Sequence, residues 1–177
     1  DEQRYEYAHG IIDASRRLSD MMTNILKLSK LENQQIFPNT EKYDLGQQLI
    51  DALLQYENVW EQENIEIETD IAEDVTVHAD RELLALVWNN LLSNAFKFTP
   101  SGGTVRLSMH ADEKYAYVLV RDTGCGMSKE TGVHIFEKFY QGDTSRATRG
   151  NGLGLSLVKR VVDIMHGEIS VESVLGE

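Results

Sequence analysis

Asn90-Leu-Leu-Ser-Asn94-Ala-Phe-Lys97-Phe98-Thr99-Pro100 sets the architecture of this chain. It predicts a helix, and Asn90, Asn94 and Lys97 stand at i, i+4 and i+7 on it. One helix face therefore presents two amides and a cation together. Downstream, Asp122-Thr-Gly-Cys-Gly126-Met follows directly on an alternating apolar strand. Gly150-Asn-Gly152-Leu-Gly154-Leu then runs straight into a second helix pattern. An amide pair, a carboxylate ahead of two glycines, and glycines at a helix N-terminus describe a nucleotide pocket.

Each signal has its own chemistry. An amide oxygen is a hard neutral donor that suits Mg2+, an ion that keeps most of its waters and takes few protein ligands. A carboxylate such as Asp122 accepts from the exocyclic amine of adenine, where guanine presents a carbonyl. Gly124 and Gly126 let the backbone turn sharply and approach a base, although an Asp-Gly turn can end any strand. Gly150, Gly152 and Gly154 precede a helix whose unpaired N–H groups and dipole favour phosphate. Arg146 and Arg149, just before them, read equally as phosphate clamps or as solvated cations.

Together these stretches resemble the ATP-binding catalytic domain of bacterial sensor histidine kinases. The N box, first glycine box, F box (Ile135-Phe-Glu-Lys-Phe-Tyr140-Gln) and second glycine box stand in the family's order. A single glycine motif would be weak by comparison. The resemblance assigns Asn94 to the metal, Asn90 to its support and the phosphates, and Lys97 to phosphate charge, which makes these three the catalytic set. It lays Phe98 against adenine, a position that core packing would also explain. It also implies ATP and Mg2+, a response-regulator receiver domain as partner, and a homodimer through the N-terminal helix. The family often has an Arg after the F-box aromatic pair, where this chain has Gln141.

The remainder of the chain agrees with that frame. Ile11, Ala14, Leu18, Met21, Ile25 and Leu28 recur in steps of three and four, with Ile12, Met22 and Leu31 widening the stripe. By resemblance this is the second helix of a dimerisation and histidine-phosphotransfer hairpin, over 1–36, with the catalytic domain at 41–177. His9 is followed by Gly10 and lacks the acidic neighbour of an acceptor, so the phosphorylated histidine is expected on a helix upstream. Gln34–Thr40 reads as a linker.

Asp44 reads as a helix cap with Gln47 as capping-box partner, opening one helix that carries Leu45 through Trp60. Ile65–Thr69 and Val75–Val77 read as short strands, and Asp80 as the cap of the helix carrying the amides. Thr104–His110 and Tyr115–Arg121 predict a hairpin, with Tyr117 and Leu119 facing the same side as Val105, Leu107 and Met109. Gln141–Arg149 reads as a mobile polar loop. A helix from Leu153 to Met165 is expected to end on Gly167 as its cap. Glu168–Ser173 is expected as a strand, with the family's last strand missing. The fold class is α+β: a two-layer α/β sandwich with a mixed sheet, preceded by one long coiled-coil-type helix.

Composition narrows the function. The 177 residues are 41% hydrophobic, enough for a core, and no apolar run approaches a membrane span. A net charge of −12 argues against nucleic acid. The single cysteine, Cys125, excludes an internal disulfide and fits a reducing compartment, so a cytoplasmic location is expected even if the parent is anchored upstream. ATPases of the wider superfamily place a Glu four residues before the metal Asn to activate water. Here that position is Asn90, which is no general base. Transfer to a nucleophile supplied elsewhere is favoured over hydrolysis.

Overall fold

The computed structural model describes residues 2–33, 37–141 and 152–176. Its elements are α1 (Glu2–Asn33), β1 (Glu41–Asp44), α2 (Leu45–Leu54), α3 (Glu57–Gln62), β2 (Glu66–Ile71), β3 (Thr76–Ala79), α4 (Arg81–Phe98), β4 (Thr104–Ala111), β5 (Ala116–Asp122), α5 (Lys129–His134) and α6 (Gly154–Ile164). Central β4 pairs in parallel with β2 and antiparallel with β5, so the sheet is mixed. A separate antiparallel pair joins β1 to β3. Leu49 of α2, Leu92 of α4, Val105, Leu107 and Met109 of β4, and Leu157, Val158 and Val161 of α6 share one core. Helices cover one sheet face, and the architecture is the expected two-layer α+β fold. No described helix is long and apolar enough to cross a membrane.

Capping chemistry starts the two helices that matter most. Asp80 Oδ1 accepts from Leu83 N at 3.0 Å, and its second oxygen accepts from Asn39 N at 2.8 Å. Asp44 Oδ1 accepts from Gln47 N at 3.0 Å, but the Gln47 side chain donates to Asp51 instead of returning to the cap. The cap forms and the reciprocal box does not.

Beneath these caps lies one buried amide, Gln48. Its Oε1 accepts from Tyr43 Oη (2.9 Å) and Trp88 Nε1 (3.1 Å), and its Nε2 donates to Arg81 O (2.7 Å). That one side chain ties β1, α2 and α4 together. Burial, with help from nearby Asp80 and Glu41 and against the Arg81 cation, raises the Tyr43 hydroxyl from 10.0 to about 12. The neutral phenol is thus favoured in the folded state. Its stabilisation is complete below pH 10 and disappears as pH rises towards 12. Urea titrations should show stability falling over that window, and Tyr43→Phe should flatten the fall while costing about 1 kcal/mol at neutral pH for the lost hydrogen bond.

Several predicted features resolve differently. The helix from Leu45 to Trp60 is two helices. A turn closes with Tyr56 N donating to Leu53 O, and it leaves the Tyr56 ring stacked 4.9 Å from Phe96 with Trp60 beside it. β1 falls partly within a stretch read as a helix cap, because its pairing with β3 lies in partner residues and not in its own pattern. In the hairpin, Leu107 opposes Val120 and Met109 opposes Val118, while Tyr117 opposes His110 on the outer face. Tyr117 and Leu119 are accordingly exposed. Glu168–Ser173 carries no strand pairing. At the end of α6, His166 takes the left-handed conformation (φ 55°) expected of Gly167, and Gly167 N donates to Val162 O.

Among the side chains described on α1, those that seat on the rest of the chain lie in its C-terminal part, from Met21 onward. Leu28 and Leu31 are buried, whereas Ile11, Leu18 and Met22 are exposed. Arg160 Nε donates to Leu31 O at 3.0 Å, satisfying a carbonyl near the helix end. Lys138 of the F box pairs with Glu32 at 2.6 Å. His9 is exposed on the same helix, while His78 and His110 lie on strands as expected.

Candidate functional site: a nucleotide pocket around one helix

Helix α4 is the spine of the site. Asn90 Nδ2 donates back to Leu86 O at 2.7 Å, which fixes the amide and turns its Oδ1 towards α6. A Cβ added at Gly154 would lie 2.7 Å from that oxygen, so the start of α6 packs directly on the Asn90 amide. One turn on, Asn94 is half-buried, and its side chain forms no hydrogen bond among the described residues. Lys97 is half-buried with its Nζ 5.0 Å from the Phe98 ring centroid. Burial lowers its pKa below the usual lysine value. Among the described residues no carboxylate pairs with it, so a nearby anion would reverse that shift. Phe98 itself is half-buried and stands outside the core cluster, where Phe96 takes the packing role.

The first glycine box meets the far end of α4. Asp122 is exposed at the end of β5, and its Oδ1 accepts from Gly124 N at 2.9 Å. One carboxylate oxygen is spent on this local turn, and the other has no hydrogen-bond partner among the described residues. Gly124 is buried, and a Cβ there would meet Asp122 Oδ1 at 2.5 Å and Phe98 O at 2.8 Å. Glycine at 124 therefore brings the Asp122 turn against the backbone of Phe98. Gly126 is pressed against a segment distant in the chain. Its φ is +64°, and a Cβ there would collide with the Val174 carbonyl. Gly176 N donates to Cys125 O and Met127 N to Ser173 Oγ, so the segment after α6 lies along this loop. Cys125 is a free, exposed thiol.

The second glycine box rests on the F box. Gly152 has φ +66°, and a Cβ there would lie 2.6 Å from the Phe139 carbonyl carbon. Phe139 N donates to Gly152 O at 2.8 Å, with Phe139 itself at φ 62°. Helix α6 then starts at Gly154 with Leu153 as its cap residue, a side chain that has no acceptor to offer the first-turn N–H groups. Gly150, Arg146 and Arg149 lie outside the described residues. So does nearly all of the predicted polar loop.

Sequence reading passed over Thr123. Its hydroxyl accepts from Thr104 N at 2.8 Å, and Thr123 N donates to Thr104 O at 3.1 Å. The available signal was a hydroxyl residue directly at the point where a strand gives way to glycine.

Comparison with known proteins places the chain in a family. The profile of the family described as histidine kinase-, DNA gyrase B- and HSP90-like ATPase matches residues 79–177. The sensor-like histidine kinase SenX3 of Mycobacterium tuberculosis is 33% identical over 172 residues, covering 96% of this chain and 42% of SenX3. The adaptive-response sensory kinase SasA of Rippkaea orientalis is 35% identical over 175 residues, covering 98% of this chain and 44% of SasA. The chain thus spans less than half the length of these relatives. Among solved structures, full-length ShkA in complex with AMPPNP superposes with a TM-score of 0.84 at 28% identity, covering 100% of this chain and 37% of ShkA. By profile, sequence and architecture, this chain belongs to the family of histidine kinase-, DNA gyrase B- and HSP90-like ATPases.

Proposed function

We propose that residues 41–177 bind ATP with Mg2+ and present its γ-phosphoryl group to a histidine on a separate helix, as the catalytic part of a sensor histidine kinase. The observation that carries this reading is the convergence of both glycine boxes on α4: Gly154 against Asn90, and Gly124 against Phe98. Between those contacts lies Lys97, a partly desolvated cation facing no described carboxylate. The relatives named as sensor kinases support the same reading.

The residues fit these groups. Asn94 offers an amide oxygen without another described partner. No cluster of three His, Cys, Asp or Glu able to hold a metal exists among the described residues. Such a lining suits Mg2+ held mainly by phosphate and water, with Asn94 as protein ligand. Bound there, the ion would neutralise phosphate charge and orient the transferring group.

Lys97 adds charge beside the phosphates, Asn90 orients the start of α6, and the first-turn N–H groups of α6 receive phosphate oxygens. Gly150, Gly152, Arg146 and Arg149 complete the phosphate side in this reading. Asp122 selects adenine, Phe98 lies against its ring, and Gly124 and Gly126 shape the loop. None of these groups is a base able to deprotonate water from the α4 face, so positioning dominates and the imidazole acceptor brings its own nucleophilicity.

Residues 1–36 would be the second helix of a phosphotransfer hairpin. The exposed Ile11, Leu18 and Met22 on α1 fit a helical partner and a homodimer. Relay to an Asp of a response-regulator receiver domain, in the cytoplasm, completes the proposal. Calorimetry tests the pocket: ATP should bind with clear preference over GTP, and Mg2+ should strengthen binding through the phosphates. Equal affinity for the two nucleotides would remove the adenine assignment.

A further inference from the structure

The β4–β5 ladder ends in an irregular way beside the pocket. Residues whose numbers sum to 227 face one another, as in Leu107↔Val120 and His110↔Tyr117. Asp112 N donates to Tyr115 O at one end, and Thr123 N donates to Thr104 O at the other, so Thr104 and Thr123 form a hydrogen-bonded pair. A regular pair of that kind exchanges two backbone bonds. Here the second bond is replaced: Thr104 N donates to the Thr123 hydroxyl at 2.8 Å. The side chain stands in for its own carbonyl, and the main chain leaves the sheet one bond early.

That early departure delivers the loop to α4. Directly after Thr123, buried Gly124 packs on Phe98 O and donates to Asp122 Oδ1. The other side of the rung is equally constrained. A Cβ at Gly103 would lie 2.8 Å from Thr123 Oγ1 and 2.6 Å from Thr99 Cγ2, while Gly103 O accepts from Glu66 N at 2.8 Å. The Thr104 N–H thus has a fixed origin, and what it bonds sets where Asp122 stands relative to Phe98.

We infer that Thr123 is a positioning residue for adenine selection, acting through Asp122 by holding the loop off the sheet. The inference rests on the proposed nucleotide reading. Without the hydroxyl, Thr104 N is free to take the Thr123 carbonyl and extend the ladder by one bond. The turn at Gly124 would then be drawn away from α4 and the carboxylate of Asp122 displaced with it. Valine keeps the branched shape and strand preference but lacks the acceptor, whereas serine keeps the acceptor.

The test compares wild type, Thr123→Val and Thr123→Ser by calorimetry with ATP and with GTP, alongside melting temperature. Thr123→Val should bind ATP about five-fold more weakly, the factor that one neutral hydrogen bond gives, and should narrow the ATP-to-GTP ratio. Thr123→Ser should restore both while the melting temperatures stay close. Unchanged ATP affinity and ratio in Thr123→Val, or equal losses in Val and Ser, would overturn the inference while leaving the pocket reading intact. Loss of nucleotide preference in wild type would instead overturn the pocket reading. Should Thr123→Val not fold, amide exchange at Thr104 in wild type decides: protection is expected, and free exchange overturns the inference.

Discussion

Gly124→Ala should abolish useful nucleotide binding while leaving a folded protein. The added carbon would sit 2.5 Å from Asp122 Oδ1 and 2.8 Å from Phe98 O, and the second of these is backbone. The side-chain contact can relax by rotation. The carbonyl moves only if the end of α4 or the loop moves. Overpacking of this kind costs about 1–3 kcal/mol, and the relief available is to push the Asp122 turn away from α4. Much of that strain should therefore appear in the site, as an ATP affinity lower by up to about a hundred-fold, at roughly 1.4 kcal/mol per ten-fold. Gly10, around which a Cβ would meet nothing within 4 Å, gives the control substitution. Calorimetry with ATP and thermal denaturation of both alanine variants separate the cases. Near-normal affinity in Gly124→Ala would show that the loop does not hold the base.

Asp122→Asn should cost selectivity more than stability. Asp122 is exposed, and its Oδ1 accepts from Gly124 N at 2.9 Å. Asparagine can keep that bond with its own oxygen, which turns its NH2 group outward. In the proposed pocket a donor then stands where the adenine amine needs an acceptor and where the guanine carbonyl would be received. A hydrogen bond to a charged group contributes about 1.5–3 kcal/mol, so ATP should weaken by roughly ten- to a hundred-fold and GTP should weaken less or improve. A parallel loss for both nucleotides would place Asp122 in the fold of the loop alone.

How far the sequence disclosed all this depends on where each feature keeps its information. α4 was legible because its cap, its apolar face and its amide face lie within one helix. The β4–β5 pairing was legible too, but not its parity. Ala116 to Val120 is apolar throughout, so alternation cannot say which side is inward. The turn decides, since Asp112 Oδ1 accepts from Lys114 N and Tyr115 N and fixes the register. β1 holds one large apolar residue, Tyr43, and exists through its partner. The break between α2 and α3 has no glycine or proline to announce it. At the candidate site, the chemistry of Asp122 and Gly124 is local and legible, whereas the contact of Gly126 with Val174 lies far along the chain. Thr123 was hidden for a related reason: a hydroxyl replacing a ladder carbonyl shows only once both strands are in place.

The proposed activity is phosphoryl transfer to an imidazole carried on another helix. It is tested most directly by incubating this chain with γ-labelled ATP and Mg2+, alone and with a separate helical hairpin that carries an acceptor histidine. Label should appear on the hairpin, stable in alkali and lost in acid as a phosphoramidate is, and more slowly than within one tethered protein. Asn94→Ala and Lys97→Ala should each suppress it. Release of inorganic phosphate without transfer, or acid-stable label on a serine, would rule out histidine as the acceptor.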